Sequence, residues 1–155
     1  MRLDYLTFED KNEYLRLMDC LVESEVNDDV WRSFFQTYDE TSYNKVIYMA
    51  RTHDEKQGKD ITVGTATTLI DHKVYLPGPV IQIEDLIVFP KYRGLGLGTQ
   101  IIREIEKDTQ SYNASVITVS CGNEGLFNFF RKALLGDKSK VSKDTGCGLT
   151  ISKWI

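Results

Sequence analysis

Two short stretches carry the residue types that could do chemistry: Gln82-Ile83-Glu84-Asp85-Leu86-Ile87-Val88, and, after four intervening residues, Arg93-Gly94-Leu95-Gly96-Leu97-Gly98-Thr99. In the first, two adjacent acids interrupt an apolar strand pattern. Each charge must be solvated or paired, and on a regular strand neighbouring side chains point to opposite faces. A β-bulge would resolve the conflict by re-aiming one carboxylate and freeing backbone N–H and C=O groups. A carboxylate so placed can act as a general base. In the second stretch three glycines at every other position join an apolar strand to an amphipathic helix. Such a turn brings successive amides close to a ligand, and the free amides at a helix start attract anions. The chemistry implied is a phosphate cradle beside a proton acceptor.

Elimination narrows the phosphate. A nucleoside triphosphate loop needs Gly-Lys-Ser/Thr at the helix start, whereas Gly98 is followed directly by Thr99. The dinucleotide fingerprint G-x-G-x-x-G fails because Thr99 stands where its last glycine would be, and no βαβ unit precedes it. What remains is R-x-x-G-x-G, formed by Arg93, Gly96 and Gly98. That spacing after a long apolar strand resembles the pyrophosphate-binding turn of the GNAT acyltransferases, which hold acetyl-CoA. A glycine-rich turn without a ligand, and a pair of acids ending a strand at the surface, are the plain alternatives. In acyl transfer the freed groups would have definite tasks. Pantetheine can pair with the strand as an added ribbon, an N–H near Leu86 can hold the developing oxyanion, and a carboxylate can take the proton of the attacking amine.

A longer set of residues narrows the resemblance. Asp71-His72-Lys73-Val74-Tyr75, Gly78, Ile83 to Val88, Lys91-Tyr92-Arg93-Gly94, Gly96-Leu97-Gly98 and Ile102 together look like the eukaryotic glucosamine 6-phosphate N-acetyltransferases. The similarity implies a cytoplasmic homodimer that uses acetyl-CoA and no metal. It places Leu86, Ile87 and Val88 along the acetyl-pantetheine arm, and Arg93, Gly94, Leu95, Gly96, Leu97, Gly98 and Thr99 around the pyrophosphate. Glu84 and Asp85 fall on catalytic and sugar-positioning acids, Lys73, Val74, Tyr75 and Leu76 on the sugar-phosphate pocket, and Asn123 on a pantetheine contact. It also makes the final strand, around Leu149 to Trp154, a candidate for exchange between subunits.

There are departures. Phe129-Phe130 replaces a Phe-Tyr pair whose phenol would protonate the departing sulfur, and Leu134-Leu135 replaces a Gly-aromatic ending. Ser115-Val116 and Ser120 stand where the resemblance expects Tyr-Lys and Asp, and residues 21–27 lack a Thr-rich loop. The lost phenol is tolerable, since an alkyl thiol of pKa about 8.5 costs only about 2 kcal/mol to expel as thiolate at pH 7. The lost lysine leaves a sugar phosphate short of charge, unless the run Arg131, Lys132, Lys138, Lys140 and Lys143 replaces it; a solvated loop is the alternative reading of that run. An amino-sugar ammonium near pKa 8 suits a carboxylate base, whereas lysine at about 10.4 needs roughly 3 kcal/mol more to deprotonate.

The elements that must position these groups follow from periodicity. Leu3 to Thr7 reads as an edge strand and Lys11 to Val22 as a helix with Tyr14, Leu17, Met18 and Leu21 inward. Asn27 and Asp28 cap a second helix with a Trp31, Phe34, Phe35, Tyr38 stripe. Apolar or alternating runs at Lys45 to Arg51, Ile61 to Ile70 and Val80 to Phe89 predict an antiparallel meander, with Thr52 to Asp60 as a polar connection. Thr99 to Tyr112 predicts a helix, Ser115 to Ser120 a strand, Glu124 to Leu135 a helix and Cys147 to Trp154 a last strand. The order β-α-α-β-β-β-α-β-α-β predicts a single α+β domain of 155 residues, a mixed, mostly antiparallel sheet flanked by helices, which is also the fold that the GNAT resemblance implies.

Composition sets the remaining bounds. With 41% hydrophobic residues, 27% charged and a net charge of −4, the chain reads as an ordinary soluble domain. No run of about 18 apolar residues predicts a membrane span, and the start has no signal-peptide pattern, so a cytoplasmic address is expected. Three cysteines without a C-x-x-C pair and two histidines argue against disulfides or structural zinc. Residues 1–60 hold 14 acids and 8 bases, whereas 61–155 hold 9 acids and 11 bases, so an anionic ligand is expected on the second half. The acidic balance, without an aromatic-basic stripe, argues against nucleic acid. Trp31 and Trp154 read as core or interface packing, and Cys121 as a thiol without an adjacent base.

Overall fold

The computed structural model describes residues 1–21, 26–40, 44–135 and 149–155. Strands β1 (Arg2–Tyr5), β2 (Lys45–Asp54), β3 (Lys59–Asp71), β4 (Val80–Val88), β5 (Val116–Cys121) and β6 (Leu149–Trp154) form one sheet in chain order. Every neighbouring pair is antiparallel except β4 and β5. That parallel pair is joined by the crossover helix α3 (Leu97–Ser111). Helices α1 (Lys11–Met18) and α2 (Asp28–Glu40) precede β2, and α4 (Glu124–Leu135) joins β5 to β6.

Period-two patterning decides which helix covers which face. Along β2, Val46, Tyr48 and Ala50 enter one core cluster with Ile101, Ile102 and Ile105 of α3 and Phe130 and Leu134 of α4. The intervening Ile47 and Met49 join Tyr14 and Leu17 of α1 and Trp31 and Tyr38 of α2. A strand buried on both faces must read as a continuous apolar run, and β2 does. Ile101, Ile102 and Ile105 have no exposed surface, so each contributes about 1.5–3 kcal/mol of burial.

The expected element order and α+β architecture hold, and differences fall at boundaries. The polar connection is shorter than Thr52 to Asp60: residues 55–58 form the turn, and Thr52–Asp54 and Lys59–Asp60 are strand, because β2 and β3 continue pairing out to Asp54↔Lys59 as an exposed two-stranded extension. It closes at Gly58, whose φ of 62° places it in the left-handed region. Helix α3 begins at Leu97 rather than Thr99, because Gly96 already provides its N-cap turn. Asn27 caps α2 as expected, its Oδ1 accepting the amides of Asp29 and Val30 at 3.0 and 2.9 Å. Residue 22 of the first expected helix and residues 147–148 of the last strand lie outside the described residues. Trp31 is a core residue at 2% exposure, but Trp154 is 69% exposed and takes no part in the core of this chain.

The loop before β4 is pinned against the end of α3. The Gly78 amide donates to Ser115 Oγ at 2.8 Å, and Ser115 donates its amide to Pro79 O at 2.9 Å. A Cβ on Gly78 would sit 1.9 Å from the Asn113 carbonyl oxygen, a backbone atom with nowhere to go. Gly78→Ala should therefore destabilise by about 1–3 kcal/mol, the usual cost of overpacking. In a chain of this size the thermal midpoint should fall by about 2–4 °C per kcal/mol, readable by circular dichroism. An unchanged midpoint would mean that the loop yields freely.

Candidate active site

The site originates in a mismatch between the two edges of β4. Toward β3, pairing runs the whole length of the strand, from Asp71↔Val80 to Gly64↔Val88. Toward β5 it stops at Ile83↔Val119, while β5 continues alongside β6 to Cys121↔Leu149. Beyond Ile83 one edge of β4 therefore has no strand partner among the described residues, and its backbone groups are available to a ligand. The register breaks at the same point: Thr68 faces Ile83 and Thr67 faces Asp85, which leaves Glu84 as the extra residue of a bulge.

The bulge also settles where the two acids point. Ile81 and Ile83 belong to the α3/α4 core and Leu86 and Val88 pack against it, so the alternation slips by one residue between them. Asp85 accordingly shares the α1/α2 face with Ile87, which lies in that cluster. Glu84 joins it there, since Gln82 Nε2, two residues earlier, donates to Glu84 Oε1 at 3.4 Å. The consequence of Asp85 is visible on Tyr14: burial first, and then the nearby Asp85 charge, push that phenol up to about 12. Glu84 is exposed and Asp85 half-buried, and neither forms an ion pair among the described residues.

Downstream, the glycines divide their work. Gly94 and Gly96 have φ of 79° and 76°, with open space where a Cβ would be, so they are required for the turn itself. Gly98 has ordinary backbone angles, and a Cβ there would stand 3.0 Å from Phe129 Cζ, so it serves the close approach of α3 and α4. The first helical bond of α3 runs from the Gln100 amide to Gly96 O at 3.1 Å, and no side chain caps this end. The amides of Leu97, Gly98 and Thr99 are left at the positive end of a fifteen-residue helix.

Between the free edge of β4 and this helix start runs a groove of about 800 Å³, within the range of small-molecule sites. Leu86, Ile87, Val88, Arg93, Gly94, Gly96, Leu97, Gly98 and Thr99 all border it. Glu84 and Asp85 lie just beyond its Leu86 end. Leu95 points outward at 66% exposure, and Asn123 serves as the N-cap of α4, its Oδ1 accepting the Leu126 amide at 2.9 Å. Lys73, Val74, Tyr75 and Leu76 sit in the loop before β4, at the end of that strand remote from the glycine turn, and do not border the groove within one chain; Lys73 pairs with Asp71.

Sequence reasoning missed Tyr92 and Arg103 as groove residues. Arg103 lies four residues after Thr99, which on a helix is the same face, and that spacing could have revealed it. Lys132 of the basic run does line the groove, as does Phe129, three residues earlier on α4. Lys138, Lys140 and Lys143 lie outside the described residues. Phe130 is buried in the α3/α4 core, so the replaced phenol position carries packing here. Cys121 belongs to the same core, and burial pushes its thiol up, away from the thiolate form a nucleophile needs. His53 is engaged with Asp60 at 3.0 Å on the β2/β3 extension. Among the described residues no group of three or more His, Cys, Asp or Glu could hold a metal ion.

The groove fits a long ligand with an anionic centre: an apolar, half-paired strand edge, then a helix N-terminus with three free amides and flanking cations. Solved structures show the same architecture. Glucosamine-6-phosphate N-acetyltransferase from Arabidopsis thaliana superposes with a TM-score of 0.72 at 23% identity, covering 94% of this chain and 98% of that one. An acetyltransferase of Trypanosoma brucei gives 0.72 at 22% identity, covering 94% and 97%. The PaiA N-acetyltransferase of Thermoplasma acidophilum, solved with coenzyme A, gives 0.65 at 13% identity, covering the whole of both chains. At these identities the likeness establishes the fold. A sequence model of the acetyltransferase (GNAT) family matches residues 12–134, which takes in α1, the bulged strand, the glycine turn and nearly all of α4, and the chain therefore belongs to the GNAT family of acetyl-CoA-dependent acetyltransferases.

Proposed function

We propose that the chain acetylates the amine of glucosamine 6-phosphate, giving N-acetylglucosamine 6-phosphate, by direct attack with both substrates bound. The observation that carries this reading is the bulge at Glu84, which sets two unpaired carboxylates on one face at the mouth of the cofactor groove. Acetyl-CoA supplies an activated thioester. As the amine nitrogen forms its bond to the acetyl carbon and the carbon–sulfur bond breaks, Glu84, or a water it orders, receives the amine proton. A β4 amide near Leu86, on the edge without a strand partner, is suited to hold the carbonyl oxygen. Asp85, shorter and half-buried beside Tyr14, orients the acceptor. The thiolate takes its proton from water or from the acceptor's own ammonium, since no phenol stands at Phe130.

The test is a thiol-release assay with glucosamine 6-phosphate, glucosamine and spermidine side by side. The sugar phosphate should give the highest kcat/KM, by about tenfold or more over glucosamine if a charge-assisted contact holds its phosphate. A second reading rests on the same carboxylate pair: with no cation beside it among the described residues, it would suit an acceptor carrying two or more ammonium groups. Preference for spermidine would establish that reading, and cofactor binding without turnover on any amine would point to a non-catalytic coenzyme A protein.

The resemblance to glucosamine 6-phosphate N-acetyltransferases implies a homodimer and a cytoplasmic setting, and we infer that in such a dimer Lys73 to Leu76 serve the sugar phosphate of a partner's site. No helix among the described residues is long and apolar enough to cross a membrane. Exposed Val74, Tyr75, Trp154 and Ile155 lie at the end of the sheet where β4 and β5 begin and β6 ends, and among the described residues β6 leaves one edge unpaired there. Light scattering at micromolar concentration should give about twice the 17.8 kDa of one chain; a mass of one chain would remove the dimer.

A further inference from the structure

The groove's charge is one-sided. Among the described residues its lining includes Arg93, Arg103 and Lys132 and no carboxylate, in a chain whose net charge is −4. The three cations are not equivalent. Arg93 is folded back on the strand end, its Nε donating to Val88 O at 3.0 Å, beside the amides of Leu97 to Thr99. Arg103 lies one helical turn beyond Thr99, about 6 Å further along α3. Lys132 lies nearly one turn beyond Phe129 on α4, and Phe129 marks where the two helices meet at Gly98. Neither Arg103 nor Lys132 is in an ion pair among the described residues.

Coenzyme A carries two separate anionic centres, the diphosphate and the 3′-phosphate on its ribose. Three unpaired amides and a helix dipole already answer the first. We propose that Arg103 of α3 and Lys132 of α4 form a two-helix clamp for the 3′-phosphate, so that this chain distinguishes coenzyme A from 3′-dephospho-coenzyme A. A phosphate monoester is close to a dianion at pH 7, and two cations from different helices neutralise it without competing for the diphosphate. Arginine offers the planar fork that grips a phosphate, and lysine contributes a point charge. The clamp rests on acetyl-CoA as the cofactor and is independent of the acceptor.

Isothermal titration of the wild-type protein and of Arg103→Ala, Lys132→Ala, Arg103→Lys and the double alanine variant, each with coenzyme A and with 3′-dephospho-coenzyme A, tests it. The wild type should bind coenzyme A about tenfold more tightly than the dephospho form, as expected for a partly exposed charge-assisted contact. Arg103→Ala should erase most of that ratio, Lys132→Ala part of it, and the double variant should bind both ligands alike, while affinity for the dephospho form changes by less than about twofold. Arg103→Lys should keep an intermediate ratio. Equal wild-type affinity for the two ligands, equal losses on both, or no loss on either would each overturn the clamp. Should one alanine variant fail to fold, the other and Arg103→Lys still give the ratio. An enzyme that shows the ratio yet acetylates no sugar would refute the proposed acceptor and leave the clamp standing.

Discussion

Glu84→Gln should lower kcat by about 10²–10⁴-fold, the range of a general base, with the affinity for coenzyme A unchanged within about twofold. The substitution keeps size and one acceptor oxygen for Gln82 Nε2, and removes the charge together with the capacity to accept a proton. The bulge should persist, because it is set by the Thr67↔Asp85 and Thr68↔Ile83 register rather than by the Glu84 side chain, which is exposed. Asp85→Asn is the informative companion. If Asp85 only orients the acceptor, its loss should raise KM for the amine by about tenfold and leave kcat within a few-fold. The reverse pattern would exchange the two roles. Steady-state thiol release, with isothermal titration of the cofactor, separates these outcomes. Retention of full kcat in both variants would remove carboxylate catalysis altogether.

The bulge illustrates what the sequence discloses and what it withholds. Two acids in an apolar strand cannot both be accommodated by regular alternation, so an irregularity at Glu84-Asp85 was legible, and the register break lies there. The face was not: which side the pair takes depends on the phase of Ile83 and Leu86 against α3, a tertiary fact. The glycine turn was legible as a turn, yet the three glycines look alike in sequence. Only the contact with Phe129 shows that Gly98 is a packing residue while Gly94 and Gly96 carry positive φ. The strand ends that flank the hairpin tip read as part of the polar connection, because they have no buried face to generate an apolar period. Arg103 is not legible as a site residue, because a lone arginine on an amphipathic helix resembles any solvated charge until Lys132 is seen lining the same groove. The resemblance places Lys73 to Leu76 at the site, whereas in one chain they precede β4 and do not line the groove, and the packing of Gly78 on Asn113 that fixes the following loop joins residues remote in sequence.

That division among the glycines gives the sharpest test of the cofactor cradle. Gly96 holds φ of 76° and ψ of 4° at the N-cap of α3, a conformation that costs an ordinary residue about 1–2 kcal/mol and a β-branched one more. Gly96→Val should relax by turning its peptide, which re-aims the Leu97 amide and projects two methyl groups into space that is open in the chain but needed by a diphosphate. Loss of one or two charge-assisted amide contacts, at about 1.5–3 kcal/mol each, corresponds to a coenzyme A Kd raised by about 10- to 100-fold or more. Because nothing among the described residues lies within 4 Å of the added Cβ, the fold itself should survive, with the thermal midpoint lowered by only about 2–8 °C. Gly98→Ala reverses the balance of causes. Its φ is ordinary and its Cβ meets only the tip of a movable ring, so cofactor affinity should fall by no more than about threefold through a slight narrowing of the groove. A Gly96→Val protein that binds coenzyme A as tightly as the wild type would show that the amides of α3 do not hold the diphosphate. Equal damage from both substitutions would mean instead that groove width, and not the direction of the amides, governs binding.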